Sequence, residues 1–297
     1  MVPRKLIGAL ALIFSTLMPT ASRAQSPSGQ WAAVDQALGR AGTTQPDGVR
    51  RYGFPRSDLH VVLDGVTIKP ALALGGWVSF QPAGTDAVVM GDLVLTPAEV
   101  NPVMAELLRG GIHVTAVHNH LLRSAPQTMY MHVEGRGDRV RLAATLRAAL
   151  AHSHTPLNAP AAGTPPAMDW DSAAVDRIMG RSGKANGGVY QFTFPRAEKI
   201  MEEGMAEPAS MGTGTGINFQ PLEGGRAAVT GDFVLLGSEV DPVMRALVSN
   251  RIEVTALHSH MIGEQPTVYF MHVWGVGPAA QLATGLRTAI DKTNVQR

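Results

Sequence analysis

The chain has 297 residues, an almost neutral balance of 25 Lys and Arg against 24 Asp and Glu, and no cysteine. Proteins that bind nucleic acids or anionic lipids usually carry an excess of Lys and Arg. This chain has no such excess, so neither is expected as a partner. Without cysteine the chain has no disulfide, thiolate zinc site or lipid-modified cysteine, and any metal must be held by His, Asp, Glu or Met.

The first 24 residues have the pattern of a secretory signal peptide. Arg4 and Lys5 precede an apolar run over residues 6–18, and Ser-Arg-Ala at 22–24 offers a cleavage site. The apolar run is too short to remain as a membrane anchor. We therefore expect residues 1–24 to be removed and the mature protein to be periplasmic or secreted, with no transmembrane segment.

The periodicity of the first half predicts an α+β lobe. In chain order we expect a strand at 77–81, a strand at 88–95, a helix at 97–109, a strand at 112–121, a return strand at 128–134 and a helix at 139–151. The order β-α-β-β-α predicts a ferredoxin-like arrangement, in which an antiparallel sheet carries its helices on one face.

The second half of the chain repeats the first. Phe-Pro-Arg at 54–56 recurs at 194–196, and Gly-Asp at 91–92 recurs at 231–232. The sequence therefore predicts two duplicated lobes, residues 25–154 and 170–297. Residues 155–169, rich in Pro and Ala, are expected to be the linker between them.

One trio of histidines occurs in both repeats at the same spacing: His118, His120 and His132, then His258, His260 and His272. Regular strand alternation places residues 112, 114, 116, 118 and 120 on one face of the sheet. The hairpin then brings His132 roughly opposite His120. We therefore expect three imidazoles to converge at one end of the sheet in each lobe.

A glutamate in the first turn of the preceding helix is the fourth candidate ligand. If a right-handed crossover joins the strands at 88–95 and 112–121, the helix begins at the edge where the second strand ends, near His118 and His120. Glu99 occupies that turn, and Glu239 occupies it in the second repeat. Three His and one carboxylate suit a divalent transition metal, zinc first, with Cu, Mn, Fe and Ni also open.

The same residues also fit a metal-free interpretation. Backbone carbonyls or Asp92 could satisfy the histidines within an ordinary core. Met131 and Met271 lie on the opposite face by alternation and are expected to pack in the core, and Arg56 and Arg196 are expected to form structural ion pairs.

Several segments resemble the LppY/LpqO family of bacterial exported proteins: the Phe-Pro-Arg segments, Asp-Gly-Val-Thr-Ile-Lys-Pro at 64–70, Ile-Asn-Phe-Gln-Pro at 217–221 and both His-x-His hairpins. The resemblance covers nearly the whole mature chain. It implies a cell-envelope protein with an internal repeat and a domain of unknown function.

Three classes of function stay open. The first is a protein that sequesters, senses or delivers a divalent metal ion. The second is a hydrolase-type metalloenzyme, with Glu99 or Glu239 as general base beside a metal-bound water. The third is a metal-free module that binds a small molecule or protein partner between its lobes. Two equivalent sites favour metal binding, and no catalytic residue is assigned.

Overall fold

The computed structural model describes residues 29–157 and 170–296. The predicted signal peptide and most of the predicted linker lie outside these residues, so cleavage and the lobe boundaries remain predictions. None of the described helices is long and apolar enough to cross a membrane.

The first repeat follows the predicted order of elements closely. Its helices are α1 Ala32–Leu38, α2 Pro70–Ala73, α3 Pro97–Arg109 and α4 Arg139–Leu150. Its strands are β1 Thr43–Thr44, β2 Arg50–Pro55, β3 Val62–Leu63, β4 Val66–Thr67, β5 Gly75–Ala83, β6 Asp86–Leu95, β7 His113–His118 and β8 Met129–Asp138. A 3₁₀ turn, Gly29–Trp31, precedes α1.

The second repeat contains the same succession. Its helices are α5 Ser172–Met179, α6 Gly237–Ser249 and α7 Ala279–Ile290, with a 3₁₀ turn at Ala209–Met211. Its strands are β9 Lys184–Asn186, β10 Val189–Pro195, β11 Ile200–Glu202, β12 Met205–Glu207, β13 Gly214–Pro221, β14 Arg226–Leu236, β15 Glu253–His258 and β16 Val268–Pro278.

Each repeat forms a six-stranded sheet with the same strand order. The order is β1-β2-β5-β6-β8-β7 in the first repeat and β9-β10-β13-β14-β16-β15 in the second. Neighbouring strands are antiparallel throughout, so β6 and β7 run parallel with β8 between them. This is the predicted β-α-β-β-α arrangement, and the duplicated α+β fold is confirmed.

The two sheets pack face to face, with the helices on the outside. In the first repeat, Leu93 and Met131 face the helices and pack against Leu107 of α3. Side chains alternate along a strand, so Tyr130 projects from the opposite face, where it packs in a cluster that includes Trp274 of the second repeat. The layers are therefore helix, sheet, sheet and helix. Met131 and Met271 are buried on the helix side, as predicted.

Each repeat also places a two-stranded hairpin on the sheet of the other repeat. The β3–β4 hairpin packs Leu63 into the cluster that contains Trp274. The β11–β12 hairpin packs Ile200 into a cluster with Val88 and Met90 of the first repeat. Buried apolar contacts therefore join the two lobes directly.

Strand β7 departs from the predicted alternation. Its register with β8 passes from Val114 opposite Val133 to Ala116 opposite His132, which leaves Thr115 as an extra residue. Such a β-bulge resets the alternation, so Val114 packs with the helices, while Ala116 and His118 lie opposite His132 and Tyr130, whose side chains face the other repeat. The predicted common face for residues 112, 114, 116, 118 and 120 is therefore wrong.

The register of the hairpin also contradicts the predicted partner of His132. Ala116 lies opposite His132, and His118 lies opposite Tyr130, so His120 is not its cross-strand partner. Strand β15 has the equivalent irregularity between Val254 and Ala256.

Candidate metal centre between the repeats

The two histidine trios meet in one cluster between the sheets. Three ring pairs that join the repeats have centroids less than 4 Å apart: His118 with His258 at 3.6 Å, His120 with His272 at 3.5 Å, and His132 with His260 at 3.5 Å. Exchanging the repeats converts this set of pairs into itself, so the cluster has approximate two-fold symmetry. We predicted a separate trio in each lobe, but the structure joins both trios because the histidine faces of the two sheets are packed together.

Aromatic side chains on the same sheet faces hold the outer rings. Tyr130 stacks on His120 with centroids 3.5 Å apart, and Phe270 stacks on His260 at 3.3 Å. The Tyr130 hydroxyl donates to the Ala73 carbonyl at 2.8 Å. The rings are therefore packed on several sides, which preorganises their nitrogens for a ligand.

Two groups of four imidazoles bring one nitrogen from each ring within 4.8 Å of the others. One is His118, His132, His258 and His260; the other is His118, His120, His258 and His272. His118 and His258 belong to both groups, and the approximate symmetry exchanges the two. Four imidazole nitrogens are a suitable tetrahedral set for zinc.

An aspartate from each repeat adjoins these rings. Asp92 lies opposite His132 across β6 and β8, and Asp232 lies opposite His272 across β14 and β16. The Asp92 Oδ1 to His132 Nε2 and Asp232 Oδ1 to His272 Nε2 distances are both 3.9 Å. These distances are longer than a hydrogen bond. Asp92 nevertheless forms a third potential metal-binding group with His120 and His132.

Asp92 and Asp232 were missed as ligands in the sequence. Asp232 forms the matching group with His260 and His272. The recurrence of Gly-Asp at 91–92 and 231–232 was the available signal, but only the strand pairing shows that these carboxylates point toward the imidazoles.

Many polar atoms of this cluster are buried without a hydrogen-bond partner among the described residues. They are Asp92 Oδ1, Asp232 Oδ1, His118 Nδ1, His132 Nε2, both ring nitrogens of His258, His260 Nε2 and His272 Nε2. Buried polar atoms are normally paired, and leaving one unpaired costs about 1–3 kcal/mol. The concentration of unpaired nitrogen and oxygen donors is what a coordinated ion would satisfy.

Burial keeps the imidazoles neutral, which is the form that binds metal. It lowers the pKa of His118 to about 3, with a further contribution from His258, and it lowers the pKa of His258 to about 4. Burial and the neighbouring imidazoles also lower the pKa values of the remaining members well below 6.5: His120, His132, His260 and His272. At neutral pH these rings therefore offer lone pairs without first losing a proton.

Burial has the opposite effect on the two carboxyl groups. It raises the pKa of Asp232 to about 7. It also raises the pKa of Asp92, with a further increase from the Asp232 charge and a decrease from Arg51. A cation between the repeats would favour the charged carboxylates instead.

Glu99 and Glu239 are occupied elsewhere and are removed from the ligand set. Glu99 Oε2 accepts a hydrogen bond from Arg56 Nη1 at 2.7 Å, and Glu239 Oε2 accepts one from Arg196 Nη1 at the same distance. Each carboxylate also accepts the backbone N–H at the start of its helix, from Thr96 in the first repeat. The predicted ion pairs of Arg56 and Arg196 are confirmed.

The predicted fourth ligand was wrong because a right-handed crossover fixes the edge of the sheet at which the helix begins, but not the face from which the histidines project. Helix α3, which carries Glu99, covers the face from which Met131 projects. His132 is the next residue along β8 and projects from the other face.

Comparison with known proteins identifies a family but no activity. The family model described as "Domain of Unknown Function (DUF1259)" matches residues 32–152 and 173–292, one match in each repeat. No curated protein matches the chain.

Two solved structures show a weak likeness to the chain. The trimeric bacterial microcompartment shell protein PduB is 12% identical, with 84% of this chain and 91% of that chain covered and a TM-score of 0.21. EtuB from Clostridium kluyveri is 10% identical, with 84% and 90% covered and a TM-score of 0.20. At these TM-scores neither likeness informs the function.

Proposed function

The chain belongs to the DUF1259 family, whose description assigns no activity, and we propose that it binds a divalent transition-metal ion between its two repeats. The observation that carries this proposal is the convergence of six imidazoles and two carboxylates from both repeats, many of them buried with unpaired donor atoms. A metal-free core of the same residues would leave those atoms unsatisfied.

Zinc is the ion that we expect. Imidazole nitrogens bind zinc well, and either group of four can supply the closed tetrahedral set of a site that retains its ion. Because the two groups share His118 and His258, we expect one ion per chain. The burial of His132, His260 and His272 favours retention of an ion over reaction with an external substrate.

We also propose a location for this protein. The signal-like residues 1–24 and the resemblance to the LppY/LpqO family both favour export, so we propose that the protein holds or delivers its ion in the periplasm or outside the cell. The predicted N-terminus of the mature protein is Gln25.

Metal analysis of purified residues 25–297 tests the binding proposal. After loading with zinc and dialysis, we expect one equivalent by inductively coupled plasma mass spectrometry. His118→Ala combined with His258→Ala removes two ligands from both four-histidine groups and should abolish retention. The matched control is His113→Ala, which removes an exposed imidazole from the same strand as His118 and should leave the zinc content unchanged.

Three results would contradict the proposal. The first is that wild-type protein retains no transition metal after loading with zinc, copper, nickel, manganese or iron. The second is that the double variant retains as much metal as the wild type. The third is that the His113→Ala control loses as much metal as the double variant.

A further inference from the structure

The two hairpins that cross between the repeats are equivalent in position but opposite in chemistry. Their turns align at Asp64 and Glu203, which have φ of 48° and 46°. With the turns aligned, Leu63 corresponds to Glu202, because each is the last strand residue before the turn and pairs with the first one after it. Ile68 then corresponds to Glu207.

The surfaces beneath the hairpins differ in the same way. Glu134 of β8 and Trp274 of β16 are equivalent, because they lie opposite His113 and Glu253 at the start of the matching strands β7 and β15. Ser124 and Glu264 are equivalent, since the residues after them, Ala125 and Gln265, form matching bridges to the hairpins.

One half of the molecule therefore has an apolar contact where the other half has carboxylates. Leu63, Ile68 and Trp274 are buried in a single hydrophobic cluster. The corresponding residues of the other half are Glu202, Glu207 and Glu134, with Glu264 in place of Ser124. Since the same fold packs well with apolar side chains at these positions, folding does not require the glutamates.

These glutamates are buried with little compensation. Glu202 is 5% exposed, Glu207 is 6% exposed and Glu264 is 2% exposed. Glu202 Oε1 and Oε2 and Glu207 Oε2 have no hydrogen-bond partner within 3.5 Å among the described residues. The Glu202 carboxyl interacts with that of Glu134, which is another acid and supplies no compensating positive charge. Glu264 Oε1 accepts the Val268 N–H at 2.9 Å.

The unpaired side chains line a cavity between the hairpin and the first sheet. Glu134, Glu202 and Glu207 contribute to its wall, and the exposed Glu203 and Arg136 also line it. The Arg136 guanidinium pairs with Glu203, with Nη1 3.7 Å from Oε2. Burial, with repulsion from the other three carboxylates, raises the pKa of Glu202 to about 8, and burial with the Glu134 charge raises that of Glu207 to about 7.

We propose that Glu134, Glu202, Glu207 and Glu264 bind a hard divalent cation of the calcium class, at a second site separate from the histidine cluster. Calcium takes six to eight oxygen ligands, usually carboxylates, carbonyls and water. No three of these carboxylates have oxygens within 4.8 Å of one another among the described residues. The ion therefore contacts some of them through water, which calcium accommodates readily.

Calcium titration of the zinc-loaded, full-length mature chain tests this site. Wild-type protein freed of calcium with a calcium-selective chelator should bind one equivalent by isothermal titration calorimetry. At calcium concentrations about 100-fold above Kd, its Tm should rise by about 5 °C. Glu202→Leu gives this position the side chain that the first repeat carries, so the variant should fold and should lose both the binding heat and the Tm shift.

Two further variants make the result specific. Glu223→Gln removes an exposed carboxylate that does not line the cavity and should retain the calcium response. His118→Ala combined with His258→Ala should also retain it, because imidazole is a poor ligand for calcium, so this site can fail or succeed independently of the proposed zinc site. If Glu202→Leu does not fold, Glu264→Ser, which copies Ser124, takes its place.

The proposal is overturned if wild-type protein shows neither calcium heat nor a Tm shift. If Glu202→Leu is then also more stable than wild type, the four glutamates share protons instead of binding a cation. The proposal is also overturned if the binding heat persists unchanged in Glu202→Leu and Glu264→Ser, or if Glu223→Gln abolishes it.

Discussion

Arg56 and Glu99 form a buried ion pair at the start of α3. Arg56 is 1% exposed and Glu99 is 5% exposed, and Asp58 provides a second carboxylate to the guanidinium at 2.8 Å. The backbone N–H of His154 also donates to Glu99 at 2.8 Å, so one carboxylate joins the loop of Arg56, the start of α3 and the end of the repeat. We therefore assign Glu99 a structural role.

Glu99→Gln should destabilise the protein without changing its metal content. Loss of one charge from a buried pair leaves the other uncompensated and costs about 3 kcal/mol, measured by urea denaturation. The matched control in the same helix is Glu106→Gln, which breaks a surface pair with Arg109 and should cost less than about 1 kcal/mol. Loss of bound zinc in Glu99→Gln would restore Glu99 as a ligand.

The loss of unfolding free energy caused by Glu99→Gln should depend on pH. Burial raises the pKa of Glu99, but hydrogen bonds from Arg56, His154 and Thr96 outweigh it and lower the pKa from 4.5 to about 2. A lowered carboxyl pKa contributes stability above pH 4.5 that is lost as the pH falls toward 2. The difference in unfolding free energy between wild type and Glu99→Gln should therefore shrink over that window, and a constant difference would contradict the ion-pair account.

At the scale of single elements, the β3–β4 hairpin depends on Trp274 of the other repeat. Trp274 is 2% exposed, packs with Leu63 and donates from Nε1 to Asp64 Oδ2 at 3.0 Å. The hairpin has two residues in each strand, and so short a ribbon is not stable alone. Contact with the second repeat therefore stabilises it.

Trp274→Ala should cost about 3–5 kcal/mol in unfolding free energy and should increase amide exchange in residues 61–68 of the first repeat. Leu108→Ala, at a residue 54% exposed on α3, is the control and should change stability by less than about 0.5 kcal/mol. Unchanged exchange at residues 61–68 would show that the hairpin is held by its own repeat.

At the scale of the whole molecule, the proposed metal site couples the two repeats. His118 of β7 and His258 of β15 contact each other, with ring centroids 3.6 Å apart, and belong to both four-histidine groups. An ion bound there contacts ligands from both sheets, so its binding free energy stabilises both repeats together.

His118→Ala alters only the first repeat, yet it should remove zinc-dependent protection from the second. Hydrogen exchange with and without zinc measures this effect on the amides of β15, Glu253–His258. In wild type we expect zinc to slow their exchange, and in His118→Ala we expect no zinc effect. A zinc effect on β15 that survives the substitution would indicate separate sites within each lobe.

Some features of this protein follow from sequence pattern alone. The bounds of α3 agree with prediction because Thr96-Pro97 and the Gly110-Gly111 pair are local signals for the start and end of a helix. The repeat of six histidines, the duplicated α+β fold and the burial of Met131 also follow from spacing and alternation, which act within one or two neighbouring strands.

The tertiary structure decided how the histidines are used. The bulge at Thr115 reverses the face of every later residue of β7, and a bulge leaves no clear mark in the sequence. The packing of one sheet on the other merges two trios into one cluster, and strand pairing within each sheet places Asp92 and Asp232 beside it. Packing between the repeats also sets Glu134, Glu202 and Glu207 around one cavity. These contacts join residues far apart in the chain, so periodicity could nominate the imidazoles but could not tell which face, which repeat or which carboxylate would meet them.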